Sequence, residues 1–442
     1  MVGFRGTVTQ HHAETTVSLP LKGSSNGDSD STVSLHELVT SIDGLKTGSR
    51  FYLAPSLCHG ALQTMYIYGG DFSKTFQVYY GRRLIHLEDG GCVSADYVIS
   101  PPADKDELNK FNELATQNFP GEDWPKLHPR TRYLSESEVA ALKEPSSKST
   151  KPLAVLNHGL AGGSHESYVR MIAEGLYNAG FDVVVLNCRG CARTKLTTPE
   201  LFTGLHTDDL RDFVKLLQHE YPSRPLYAVG LSFGSTILAN YLGEEEENSP
   251  FVASACLSNP WDMVDSAYHI SNGLIGKNLF AESIAGTLAR LVKSNRKVLM
   301  TNPQFKQNLL EKRKFHSTAE FDALFTAPFH GFQTAYQYYR AASSVNRLLK
   351  VQSPLLIINS TDDPVVGVHS IPDKEAEANP YVVLIKTDLG GHLAYVQSDG
   401  KNWAINRIVD FFAKVHDTVD ESKKVVSDYK PSKSVYDYKL HY

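Results

Sequence analysis

The sequence predicts an α/β protein: a mainly parallel central sheet flanked by helices, with a helical insertion late in the chain. Three observations carry that prediction. From residue 152 onward, short apolar runs alternate with helix-patterned segments, the order that yields parallel strands joined by crossover helices. Runs such as Val183-Val184-Val185-Leu186 are apolar on both faces, which suits strands covered on both sides. Finally, Gly230-Leu231-Ser232-Phe233-Gly234 stands between a strand-like run and a helix-like run, so a serine is expected at a tight strand-to-helix turn.

The elements follow in order. Residues 1–40, rich in Ser, Gly, Thr and Asp toward their centre, are expected to be disordered or loosely attached. Residues 50–100 read as an antiparallel entry region, with strands at 76–80, 84–87 and 92–99 and a turn at Asp89-Gly90-Gly91. The polar stretch 101–150 reads as an insertion or long surface connection with a helix at 135–143. The alternating part then gives a strand at 152–157, a helix near 167–179 stopped by Gly180, and a strand at 181–186. A helix at 208–220 follows, with Leu210, Phe213, Val214 and Leu217 on one face. Next come the strand 224–229, the helix from Ser235 to Leu242, and a strand at 251–257.

Residues 262–350 hold no convincing strand but several amphipathic segments, among them Ile284–Val292 and Phe321–Tyr339. They are expected to form a helical cap, the place where such an insertion shapes a substrate pocket. Strands at 354–358 and 381–385 resume the sheet, and a last helix carries Ile405, Ile408, Val409 and Phe412. The expected organisation is thus a catalytic domain over 41–261 and 351–415, a cap over 262–350 and a mobile tail over 416–442.

Composition narrows the function. Of 442 residues 41% are hydrophobic, enough for a large core, and the net charge of −5 provides no basic footprint for a nucleic acid. Five scattered cysteines, an odd number, indicate a reducing compartment rather than a disulfide framework. No run approaches the ~20 apolar residues of a membrane span, and Met1-Val2-Gly3-Phe4 opens neither a secretory signal nor a myristoylation motif. An intracellular, cytoplasmic protein is expected, with any contact to a lipid droplet or organelle surface peripheral.

Chemistry is concentrated in four places. Gly-x-Ser-x-Gly at a strand-to-helix turn is the nucleophile elbow of the α/β-hydrolase fold, and in that fold the chain order is serine, acid, histidine. A serine hydroxyl needs an imidazole to take its proton, and the imidazole needs a carboxylate to orient it. Here Ser232 is followed by Thr361-Asp362-Asp363-Pro364 after one strand and by Gly390-Gly391-His392 after the next. Asp363 is the expected acid with Asp362 capping the turn; Asp262, one strand earlier, is a lesser candidate. Backbone N–H donors for an oxyanion are expected from Phe233, after the nucleophile, and from Leu160 in His158-Gly159-Leu160-Ala161-Gly162-Gly163.

Each motif alone has a structural explanation, a glycine-rich turn or a helix-entry loop, but four in this order at strand ends do not. The lone Cys188-Arg189-Gly190-Cys191 has no second pair and reads as structural, and Glu244–Glu247 as a solvated helix end. Neither H-E-x-x-H nor G-x-x-x-x-G-K-[ST] occurs, nor any His with Asp five places on, which disfavours a zinc hydrolase, a P-loop enzyme and a glycerolipid acyltransferase. No metal or cofactor is expected.

With these residues placed, the chain resembles the YheT-like α/β-hydrolases and their eukaryotic membrane-lipid relatives. The resemblance rests on His59-Gly60-Ala61-Leu62-Gln63-Thr64, His158–Ser164, Asn187-Cys188-Arg189-Gly190-Cys191, the elbow, Thr361–Pro364 and Gly390-Gly391-His392, over residues 45–415. Thr203-Gly204-Leu205-His206-Thr207, Asn240–Glu245, Leu257–Asp262 and Thr387–Tyr395 make it most similar to the fungal medium-chain fatty acid ethyl ester synthase/esterases. Cys58 departs from the asparagine common before His-Gly in that family. The resemblance implies Ser232, Asp363 and His392 as the triad, acyl-CoA or a fatty acyl ester as acyl donor, and a short-chain alcohol or water as acceptor. A lipase acting on monoacylglycerol or another lipid ester is the alternative, and an inactive hydrolase fold used for binding a lesser one.

Overall fold

The computed structural model describes residues 4–23, 31–117, 119–121, 123–146, 150–273, 276–305, 314–425 and 427–431. The chain forms two compact units: residues 1–70, 225–269 and 343–442 make the first, and residues 71–224 and 270–342 the second.

In the first unit the strands lie in the order Arg50–Tyr52, Arg5–His11, Val382–Thr387, Leu355–Ser360, Phe251–Leu257, Leu226–Leu231. The last four are mutually parallel, and the first two add antiparallel at the edge. Leu355–Ser360 and Leu226–Leu231 are buried at every position, as strands covered on both faces must be. The helix Phe233–Glu245 is buried from Phe233 to Gly243, so it shows no polar stripe. Trp403–Thr418, by contrast, turns Ile405, Ile408, Phe411, Phe412 and Val415 inward and keeps a polar face.

The second unit carries the order Leu153–Asn157, Asp182–Asn187, Cys92–Ile99, Tyr79–His86, Thr131–Tyr133, with parallel pairs at both ends and antiparallel pairs between. Within it, Arg82 and Asp96 form a buried two-point ion pair at 2.6 and 2.7 Å. Burial opposes the charge on Asp96, yet the Arg82 guanidinium and hydrogen bonds from Ser164 and Asn187 hold its carboxyl below the usual range.

Several expectations need correction. The N-terminal segment is not loose where it is described: Arg5–His11 is a sheet strand, Ser18–Pro20 pairs with Thr32–Ser34, and Leu35–Thr40 is a helix closed by a Ser34–Glu37 capping box. Residues 24–30 lie outside the described residues. Nor does a mobile tail begin at 416. The last helix runs to Thr418, Val419 bridges to Leu21, and the Tyr429 hydroxyl donates to Leu349 O at 2.7 Å; residues 432–442 are not described. The entry region contains a helix, Gly60–Gly69, and the two strands expected at 76–80 and 84–87 are one, Tyr79–His86.

Among the described residues, 262–350 contains helices and no strand, from Met263–Asn272 to Val345–Leu348. The compact units nevertheless divide at 269/270 and 342/343, so the expected boundaries at 262 and 350 are not those of the units. The amphipathic stretch 321–339 is three helices, Thr318–Leu324, Thr326–Phe329 and Ala335–Ala342. Pro328, which has no N–H to donate to Leu324 O, accounts for the first break, and the positive φ of Gly331 (77°) for the second. No described helix is long and apolar enough to cross a membrane.

Candidate functional site

Ser232 sits between the strand Leu226–Leu231 and the helix Phe233–Glu245, at φ 54° and ψ −120°. A serine holds so unfavourable a conformation only where its surroundings impose it. The turn is tight enough that a Cβ on Gly230 would lie 2.4 Å from Ser235 Cα, so only glycine fits there. Phe233 begins the helix, where first-turn N–H groups point away from the helix body.

Two further loops of the same unit meet the serine. After Leu355–Ser360 the chain turns at Asp362-Asp363-Pro364, and after Val382–Thr387 it turns at Gly390-Gly391-His392. His392 Nε2 lies 2.7 Å from Ser232 Oγ, and His392 Nδ1 lies 2.7 Å from Asp363 Oδ2. The ionised carboxylate can only accept, so Nδ1 carries the hydrogen and Nε2 is left to accept from the serine. Asp363 Oδ1 accepts from the N–H groups of Val365 (2.8 Å) and Val366 (2.9 Å), which fixes its plane. Ser232, Asp363 and His392 are 8%, 2% and 2% exposed, so these contacts act in a medium that screens charge poorly. The ring of Tyr68 stacks near His392, 6.4 Å between centroids.

Asp362, the neighbouring carboxylate, does another job. Its Oδ1 accepts from Gly391 N at 2.8 Å and from Ser360 Oγ, while Oδ2 is buried without a hydrogen-bond partner. Burial, with the nearby Asp363 charge, raises its pKa. Asp262 does not join the three: its Oδ1 accepts from Val264 N and Asp265 N at the start of the next helix.

Leu160 belongs to the second unit, in the loop after Leu153–Asn157. There His158 Nε2 accepts from Cys188 N at 3.1 Å, and burial pushes the imidazole down to about 4, keeping it neutral. Gly162 N donates to Gly159 O at 3.0 Å, Ala161 adopts φ 53°, and Ser164 N donates to Asn187 Oδ1 at 2.9 Å. Ser164 Oγ also donates to Asp96, so the buried Arg82–Asp96 pair anchors this loop. The Cys188 thiol is pushed up to about 12 and that of Cys191 well above its ordinary value, both by burial, which leaves little thiolate for redox or metal chemistry. Among the described residues no group of three or more His, Cys, Asp or Glu could hold a metal ion.

Sequence reasoning missed Thr64, Gln63 and Ser258, which hold the histidine loop. His392 N donates to Thr64 Oγ1, Val396 N to Gln63 Oε1, and Leu393 N to Ser258 Oγ. The motif His59–Thr64 marked the right segment without revealing what it touches.

A serine on a strained strand-to-helix turn, followed in the chain by an acid and a histidine at the ends of later strands, defines a class of protein. Residues 152–399 match the α/β-hydrolase fold family, and the chain belongs to that family. It is 43% identical to the medium-chain fatty acid ethyl ester synthase/esterase 2 of Saccharomyces cerevisiae, over 94% of this chain and 96% of that one. It is 32% identical to the monoacylglycerol lipase of the same yeast, over 88% and 86% of the two chains. To YheT of Escherichia coli it is 30% identical, over 62% and 80%.

Proposed function

We propose that this protein is a serine-dependent acyl-transfer enzyme that makes medium-chain fatty acid ethyl esters from acyl-CoA and ethanol, and hydrolyses such esters. The observation that carries it is the continuous relay from Ser232 Oγ through His392 to Asp363, each link 2.7 Å.

Ser232 Oγ attacks the acyl carbonyl while His392 Nε2 takes its proton, and the Nδ1–H bond to Asp363 stabilises the resulting imidazolium. The N–H group of Phe233, at the start of the helix that follows the nucleophile, receives the oxyanion, and such a donor is worth ~3–4 kcal/mol. Collapse breaks the bond to the leaving group, the CoA thiolate of a thioester or the alkoxide of an ester, and in either case that group takes the proton from His392 and leaves the imidazole neutral. Ethanol or water then gives its proton to His392 and attacks the acyl-enzyme; Ser232 leaves as alkoxide and recovers that proton. An ethyl ester or a free acid results. Buried acyl chain contributes ~0.8 kcal/mol per CH₂, so chain-length preference depends on where the acyl pocket ends.

The likeness to the synthase/esterase over nearly the whole of both chains supports the alcohol-transfer reading. The likeness to the monoacylglycerol lipase supports a second, in which water alone resolves the acyl-enzyme formed from a lipid ester. Product analysis with purified protein, octanoyl-CoA and ethanol, beside Ser232→Ala, tests both. Ethyl octanoate that disappears in the variant is the expected result. Octanoic acid alone, equally dependent on Ser232, overturns the transferase reading and favours the lipase.

A further inference from the structure

Three consecutive backbone amides carry the histidine, and each donates to a side-chain oxygen from a different part of the first unit. Gly391 N–H reaches Asp362 Oδ1 at 2.8 Å, His392 N–H reaches Thr64 Oγ1 at 2.8 Å, and Leu393 N–H reaches Ser258 Oγ at 3.1 Å. The loop belongs to no helix or strand, and its backbone is unfavourable at two residues: φ is 61° at Leu393 and 44° at Tyr395. Such conformations persist only where the surroundings over-determine them. A Cβ on Gly391 would lie 2.4 Å from Gly60 O, so the loop presses directly on the start of the helix that bears Thr64.

The acceptors are themselves fixed. The Thr64 hydroxyl donates to Gly60 O at 2.7 Å, which aims its lone pairs at His392 N. Ser258, fully buried with φ 53°, is tied by its own N–H to Ile358 O at 2.9 Å. Asp362 Oδ1 is shared with Ser360 Oγ. Gln63 and Asn402 hold the far side of the loop, through Val396 N and through the carbonyls of Leu393 and Ala394.

We propose that Thr64, Ser258 and Asp362 form one positioning clamp that holds the His392 imidazole between Ser232 and Asp363, and that the clamp sets turnover rather than substrate affinity. It rests on the Ser232–His392–Asp363 reading above. None of the three side chains contacts the reacting atoms. Their effect passes through the backbone of residues 391–393, where a displacement of about 1 Å is enough to cost on the order of a hundredfold in rate.

The test is steady-state hydrolysis of p-nitrophenyl octanoate by the full chain. Thr64→Val and Ser258→Ala each lower kcat about ten- to a hundredfold with KM within about twofold of wild type. Thr64→Ser, which keeps the acceptor oxygen, restores kcat to within about threefold, and Asp362→Asn, whose carbonyl still accepts from Gly391 N–H, does the same. The Thr64→Val/Ser258→Ala double variant loses less than the product of the single losses, because both act on one loop. Should Thr64→Val not fold, Ser258→Ala, which removes a single oxygen, carries the same test. Ser232→Ala separates the two claims. Turnover that survives it removes the triad reading and the clamp together. Turnover abolished by it, but unchanged in Thr64→Val and Ser258→Ala, or a loss in those variants confined to KM, overturns the clamp alone. A Thr64→Ser variant as impaired as Thr64→Val overturns it as well.

Discussion

Asp322 makes the stability of the helices at 318–342 depend on pH. Its carboxyl is buried, accepting from Thr326 Oγ1 at 2.5 Å and from the Tyr339 hydroxyl at 2.6 Å. Burial pushes its pKa up from 3.8 to about 6, the two hydrogen bonds opposing; the other titratable groups facing it are Tyr338 and Tyr339, both neutral. The folded state therefore holds the proton more tightly than the unfolded state does. Below about pH 4 both states are protonated and the full stability is present. Between about pH 4 and 6 only the unfolded state ionises and stability falls; above about 6 the loss is constant. A gap of about two pH units corresponds to about 3 kcal/mol. Asp322→Asn keeps the shape while removing the ionisation: its amide oxygen still accepts from one of the two hydroxyls, and its NH2 donates to the other once that hydroxyl rotates. At pH 8 the amides of 318–342 are expected to exchange about a hundredfold more slowly in the variant than in wild type, converging near pH 4. Hydrogen-exchange mass spectrometry comparing the two proteins at equal pH cancels the intrinsic pH dependence of exchange. Equal protection at pH 8, or a difference that persists at pH 4, refutes the reasoning.

Two other substitutions test separate parts of the structure. Asp363→Asn preserves the shape beside His392 but favours the wrong imidazole tautomer, so kcat is expected to fall about 10⁴-fold with folding intact; rate measurement with circular dichroism checks both halves of that statement. Asp96→Ala leaves Arg82 buried without its carboxylate and frees the loop that bears Leu160 through Ser164 and Asn187. It is expected to destabilise by about 3–5 kcal/mol, read as a lowered denaturation midpoint.

The parts legible in the sequence are those whose signal is local. Parallel strands announced themselves as short apolar runs, and Ser232, Asp363 and His392 each stand just past such a run, so each is expected at the C-terminal end of a strand; the strand Phe251–Leu257 lies between those that precede Ser232 and Asp363. Arg5–His11 was illegible because Val8 is its one buried large apolar residue. Its place comes from backbone pairing with 384–387, more than 370 residues away. Gly60–Gly69 escaped notice for a related reason. Ten uncharged residues capped by the Nδ1 of His59 present neither an amphipathic stripe nor one of the usual capping residues. The grip of Thr64, Ser258 and Asp362 on the histidine loop joins segments that spacing cannot relate. In 321–339 the signal was present, in Pro328 and Gly331, but the helical periodicity masked it.

The most direct test of the central claim is to react the folded protein with a fluorophosphonate and locate the adduct by peptide mapping. Phosphonylation of Ser232 alone, lost in Ser232→Ala and strongly slowed in Asp363→Asn, is the predicted result. An unlabelled protein, or a label that sits on another residue and survives Ser232→Ala, contradicts the account.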